Sequence, residues 1–186
     1  MLQLNCARIH VMAFHFFAHP MSPDAEGLSR FFSLCVATIN TASAMTQTVN
    51  LPSVAQSFVD RTICLAGFTI LRLVRSPLAA HLDLAAGEQA FFQAVQFLKN
   101  ISLQPGDIGM RTAMIMHDLW NSNKVFRRKD GRIESLGLRL RTRLSMSVSY
   151  DMFWYWREEF GNMQNPYNGD DHIHTSNDMT QPGSPR

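Results

Sequence analysis

A chain of 186 residues with 46% hydrophobic and 17% charged side chains carries enough apolar matter for one buried core, and too much for a disordered chain. A formal net charge of +2 excludes the broad cationic surface of a general nucleic-acid binder. The three cysteines, Cys6, Cys35 and Cys64, are too dispersed for a disulfide framework or for a thiolate metal cluster, whose ligands come in close pairs.

The apolar periodicity predicts an all-α chain of about six helices. The first covers about Leu2 to Ala18 and is closed by Pro20. Ser22 as cap and Pro23 at the first helical position open the second, which runs to about Met45 and ends in the polar stretch Thr46 to Asn50. Pro52 opens the third, with Phe58, Ile63, Leu65, Phe68, Ile70, Leu71 and Val74, stopping before Pro77. Apolar groups on more than one of its faces make it the expected central helix. Asp83 caps the fourth, whose core stripe is Ala86, Ala90, Phe91, Ala94, Val95 and Leu98. Asp107 caps the fifth, which ends near Trp120–Asn121. A polar, basic loop with a turn at Asp130–Gly131 follows.

The last helix is expected from Leu136 to the C-cap-like Gly161. Leu136, Leu140, Leu144, Val148, Met152, Trp156 and Phe160 recur at every fourth position and give it one long apolar stripe. Leu138, Leu140, Leu144, Met146 and Val148 also alternate with Arg and Ser as in a strand, but the length of the pattern favours a helix. Residues 1–162 are thus expected as one helical domain. Residues 163–186, rich in Pro, Gly, Asn and Ser, are expected as a disordered tail. Met1 stands directly before the first helix without a polar lead-in, which reads as the C-terminal piece of something longer. The most apolar run, Ile63 to Leu71, is far shorter than the roughly 20 residues a bilayer needs, so a soluble chain without membrane contact is expected.

Chemical motifs are sparse. His15 and His19 share a helix face near His10, but Phe16 stands where a helical metalloprotease motif needs Glu, so no metal site is assigned. Asp170, Asp171, His172 and His174 lie in the expected tail, where nothing preorganises ligands. There is no Gly-x-Ser-x-Gly elbow, and "GDIGMR" and "GRIESLG" lack the Gly and Lys spacing of a phosphate loop. No catalytic residue and no cofactor is therefore expected. Each cysteine falls in an apolar helical pattern, as a reduced core thiol would.

The basic cluster is the candidate partner-contact face: Arg127, Arg128, Lys129 and Arg132 in the loop, then Arg139 and Arg143 on one face of the last helix, with Arg141 pointing elsewhere. The bland alternative is a solvated face with ion pairs to Glu134, Asp151, Glu158 or Glu159. A second possibility is a small-molecule pocket between the third, fifth and sixth helices, lined by Met110, Met114, Met116, Met146 and Met152; ordinary core filling competes with it.

Four segments, in order, resemble the helical regulatory region of fungal binuclear zinc-cluster transcription regulators, in the branch around the leucine-biosynthesis regulator and the secreted-protease activator. They are "LNCARIHVMAFHFF", "LDLAAGEQAFFQAVQFLKNIS", "DIGMRTAMIMHDLW" and "RLRTRLSMSVSYDMFWYWREEFG", spanning Leu4 to Gly161. The resemblance implies a nuclear transcription regulator, often tied to metabolic or secondary-metabolite genes, that meets protein partners or other parts of a longer regulator, or senses an effector. The family's six-cysteine zinc module is missing, so its zinc and DNA-reading residues map onto no position here, and contact with DNA would be indirect.

Overall fold

Every residue from Thr62 to Leu73 is buried, so the helix that carries them is enclosed on all sides. This is the expected central helix, and the computed structural model of the chain builds around it. The structure describes residues 1–18, 24–49, 57–128 and 131–163. Among these are six α-helices and no strand: α1 Leu2–Met12, α2 Ala25–Val49, α3 Ser57–Val74, α4 Leu84–Asn100, α5 Ile108–Asn121 and α6 Ser147–Phe160. Short 3₁₀ turns follow α1 (Ala13–Phe17), follow α3 (Pro77–His81) and precede α6 (Leu144–Met146). Each of the other five helices packs against α3. The fold is all-α.

The caps explain several of the boundaries. Asp83 accepts the amide of Ala86 at 3.0 Å and starts α4. Asp107 accepts the amides of Met110 and Leu103 at 3.0 and 2.8 Å, which together start α5. The Met110 amide, aided by those of Leu103 and Gln104 and by Ser102, holds the Asp107 carboxyl at about 2, despite an opposing effect of desolvation. Asp24 accepts the Gly27 amide at 2.8 Å at the start of α2, while the expected cap Ser22–Pro23 lies outside the described residues, as do Pro20 and Pro52.

Two ends differ from the sequence pattern. α2 continues past Met45 to Val49, because Thr46 and Thr48 turn their hydroxyls onto the carbonyls of Ala42 and Ala44 within the helix. The first helix tightens at Ala13 into the 3₁₀ turn, so its α-helical part stops at Met12.

The larger correction concerns residues 136–146. They are not helical: α6 begins only at Ser147, and the preceding stretch is irregular with a single 3₁₀ turn. Leu138 and Leu140 are buried while Arg139 is half-buried and Arg141 is exposed, so alternation rather than fourfold spacing describes this part of the chain. Leu144, counted in the helical stripe, is 70% exposed and sits at φ 51°, a left-handed conformation unfavourable for a leucine. At the far end Gly161 keeps a right-handed φ of −102°, and Asn162 takes the left-handed position at φ 50°. The expected disordered tail falls on residues that, from 164 onward, lie outside those described.

Candidate functional site

The irregular stretch is held by a cationic side chain from the middle of the core. Arg72, on α3, has no exposed surface. Its Nη1 donates to the carbonyls of Ser135 at 2.6 Å and Gly137 at 3.2 Å, and its Nη2 donates to Asp151 of α6. Inside a helix those two carbonyls would be occupied by amides four residues on. Here they face the guanidinium, which accounts for the lost helix. The rings of Phe126, Tyr155 and Phe16 surround the same group at 5.2, 5.8 and 5.9 Å.

Asp151, also without exposed surface, accepts a second guanidinium, that of Arg139, whose Nε lies 3.2 Å from Oδ1. Arg139 reaches on to Glu158 at 2.6 Å and lies 3.6 Å over the Tyr155 ring. Two cations and two carboxylates thus balance, as groups so far out of water must. Burial alone would push the Arg139 guanidinium down, but Tyr155, Asp151 and Glu158 outweigh it and hold it above its usual value. The Tyr155 phenol is raised by burial, against the opposing pull of Arg72 and Arg139.

The expected basic face therefore divides in two. Arg139 belongs to the interior, and it does not share a helix face with Arg143, because neither residue is in a helix. Arg127, Arg128, Arg132 and Arg143 are exposed. Arg128 pairs with Glu134, and the backbones of Arg127 and Ile133 form an isolated antiparallel bridge around the Gly131 turn, whose φ of 84° suits glycine. Arg143 lies 5.6 Å over the Tyr150 ring. Lys129 and Asp130 lie outside the described residues. The loop is less polar than its composition suggests, for Val125 and Phe126 are buried, with Phe126 held at φ 65° over Arg72. Of the carboxylates considered as partners, Glu134, Asp151 and Glu158 pair with arginines, while Glu159 accepts the Ser122 hydroxyl at 2.6 Å.

Sequence reasoning missed Arg72 because it served only to bound an apolar run. A charge set between Leu71 and Leu73 in the last turn of the most apolar helix was the available signal. Arg75, one turn on, was missed as well. It donates to the carbonyls of Ser122 at 2.5 Å and Trp120, closing the C-terminus of α5. Trp156 of α6 donates to Asp118 of α5 at 2.9 Å and ties α6 to the same end of α5.

The other sequence candidates are used up in packing. His10 bridges three elements: its Nδ1 lies 2.8 Å from the Ser145 hydroxyl and its Nε2 3.1 Å from that of Thr62. Thr62 donates its own proton to the Phe58 carbonyl at 2.7 Å, so Nε2–H donates to Thr62 and Nδ1 accepts from Ser145. His15 pairs with Asp24 at 2.8 Å, and His19 lies outside the described residues. Among the described residues no group of three His, Cys, Asp or Glu side chains is placed to hold a metal ion. Cys6, Cys35 and Cys64 are buried free thiols, and burial drives that of Cys64 to about 12. Met116 and Met152 are fully buried and fill the core beside α3, whereas Met114 is 54% exposed, so the methionines do not share one lining. No described helix is long and apolar enough to cross a membrane.

No family model, no curated protein and no solved structure matches the chain.

Proposed function

We propose that this chain is a regulatory helical module of the zinc-cluster transcription-regulator type, acting in the nucleus through contacts with protein partners or with other regions of a longer regulator. Its support is positional. The four segments that carry the resemblance form, in order, α1 with its 3₁₀ turn, α4, α5, and the stretch Arg139–Gly161, all within one helical body. The interior chemistry supports a contact role over catalysis. The strongest cluster of charged groups pairs two arginines with two carboxylates beside α6, Arg72 and Asp151 fully buried and Arg139 and Glu158 partly exposed, and it is spent on fixing the 135–161 stretch. What remains outside are the exposed arginines Arg127, Arg128 and Arg132 about the Gly131 turn, and Arg143 ahead of α6, suited to acidic partners.

The test is a tethering assay. The full chain is fused to an unrelated DNA-binding domain in a fungal reporter strain, with its nuclear presence checked by a fluorescent tag. Reporter output is expected to move at least about threefold, and Arg127→Glu with Arg132→Glu is expected to return it to baseline without loss of folding. A folded, nuclear fusion that leaves the reporter at the level of the DNA-binding domain alone contradicts the reading.

A further inference from the structure

We propose that the outer face of α1, together with the turn at Leu144–Met146, docks an amphipathic helix whose flanks are acidic. α1 is apolar on both sides. Leu2, Cys6 and Ile9 are buried inward, while Leu4 and Val11 stand 59% and 71% exposed on the opposite face, followed by Phe14 at 46%. The bond from His10 to Ser145 brings the 144–146 turn against this helix, and the His10 ring stacks on Phe58 at 5.3 Å. Leu144 and Phe58, 70% and 43% exposed, therefore extend the same edge. Exposed apolar groups gathered in this way mark an interaction surface. A shallow open groove of about 300 Å³ lies on the surface of α1 itself, lined by Ala7, Arg8, Val11 and Met12.

Charge selects the occupant. Residues 1–18 and 135–150, which build most of this edge, contain no Asp or Glu, yet they carry Arg8, Arg139, Arg141 and Arg143; the start of α3, which brings Phe58, adds one carboxylate, Asp60, and one cation, Arg61. Arg139 is turned inward to Asp151 and Glu158, whereas Arg8, Arg141 and Arg143 are exposed. Arg141 lies 6.0 Å over the Phe17 ring, and Phe17 in turn touches Phe14, so cations rim the apolar surface. Asp24, close by on His15, is already paired. An apolar stripe beside a groove with a cationic margin matches a helix that presents leucines to the groove and carboxylates to the rim. A lipid bilayer would meet a flat or convex face better than a grooved one. The proposal does not depend on the transcriptional reading.

The experiment is fluorescence anisotropy of the full chain with two labelled helical peptides of the same leucine pattern, one flanked by Glu and the other by Lys. The Glu peptide is expected to bind and the Lys peptide to bind at least about tenfold more weakly. Val11→Ser with Leu144→Ser, both exposed positions, is expected to weaken the Glu peptide about tenfold, and Arg141→Glu with Arg143→Glu about as much, with helicity unchanged by circular dichroism. Equal binding of both peptides, no binding of either at about millimolar concentration, or unaltered binding by both variants would overturn it. So would binding to vesicles containing phosphatidylserine in place of the peptide, or a self-association in sedimentation that Val11→Ser abolishes.

Discussion

Arg72 and Asp151 meet where neither has any contact with solvent, one from the last turn of α3 and the other from just past the first turn of α6. Their pairing joins two elements far apart in sequence, and the carbonyls of Ser135 and Gly137 accept from the arginine's other terminal nitrogen. The residues between these carbonyls and α6 are thereby drawn into an irregular, non-helical path that ends in the 3₁₀ turn. This relationship decides the shape of the arginine-rich segment, and so which of its cations remain outside.

Leu144 distinguishes the observed path from a continuous helix. At φ 51° and 70% exposure, a leucine carries left-handed strain and little buried surface. Leu144→Gly is expected to be neutral or to stabilise by up to about 1 kcal/mol in urea unfolding. In a helix from Leu136 onward the same change would cost about 0.8–1 kcal/mol.

Gly87 is expected to resist the reverse exchange. A Cβ there would sit 2.7 Å from Phe32 Cζ, and both residues are buried where α4 crosses α2. Overpacking of about 1–3 kcal/mol outweighs the roughly 1 kcal/mol that alanine gains in helix propensity. Gly87→Ala should therefore lower the urea midpoint without abolishing the helical circular-dichroism signal.

The thiols should be silent in the folded protein. Cys6, Cys35 and Cys64 are buried, and burial pushes all three above the ordinary thiol value, to about 12 for Cys64. An aromatic disulfide reagent at neutral pH is expected to label none of them until denaturant is added, and then all three. Fast labelling of a native thiol would show that a helix of the core opens.

The bridge at His10 makes stability depend on pH. Burial lowers its pKa below 6.5, so the fold prefers the neutral ring. As pH falls through 6.5, the unfolded chain takes up the proton first. Stability is therefore lost from that point down to the folded ring's own pKa, and is fully present above 6.5. Unfolding free energies measured at pH 7.5 and at mildly acidic pH should converge in His10→Gln relative to the wild type. An equal slope in both proteins would place the pH dependence elsewhere.

Much of the fold was legible because its signals were local. The carboxylates of Asp83 and Asp107 mark the starts of α4 and α5, and the apolar run from Ile63 to Leu71 marks α3 as the centre. The stretch from Leu136 to Met146 was misread because its fourfold and alternating patterns overlap. What separates them is Arg72, more than sixty residues earlier, which no local pattern can weigh. For the candidate site, Arg139 was identified as a notable cation, and Asp151 and Glu158 as possible partners for the cluster. Its inward direction followed only from the tertiary position of Tyr155 and Asp151.

The most direct measurement is a double-mutant cycle on Arg72→Met and Asp151→Asn by urea unfolding. If the two side chains hold residues 135–161 on the core, each single change costs about 3–5 kcal/mol: Asp151→Asn leaves Arg72 buried without a counter-charge, and Arg72→Met leaves Asp151 with Arg139 alone. The double variant then loses less than the sum of the two, with a coupling of about 2 kcal/mol or more. Additive losses agreeing within about 0.5 kcal/mol would mean that the pair does not act as one unit, and would contradict the account.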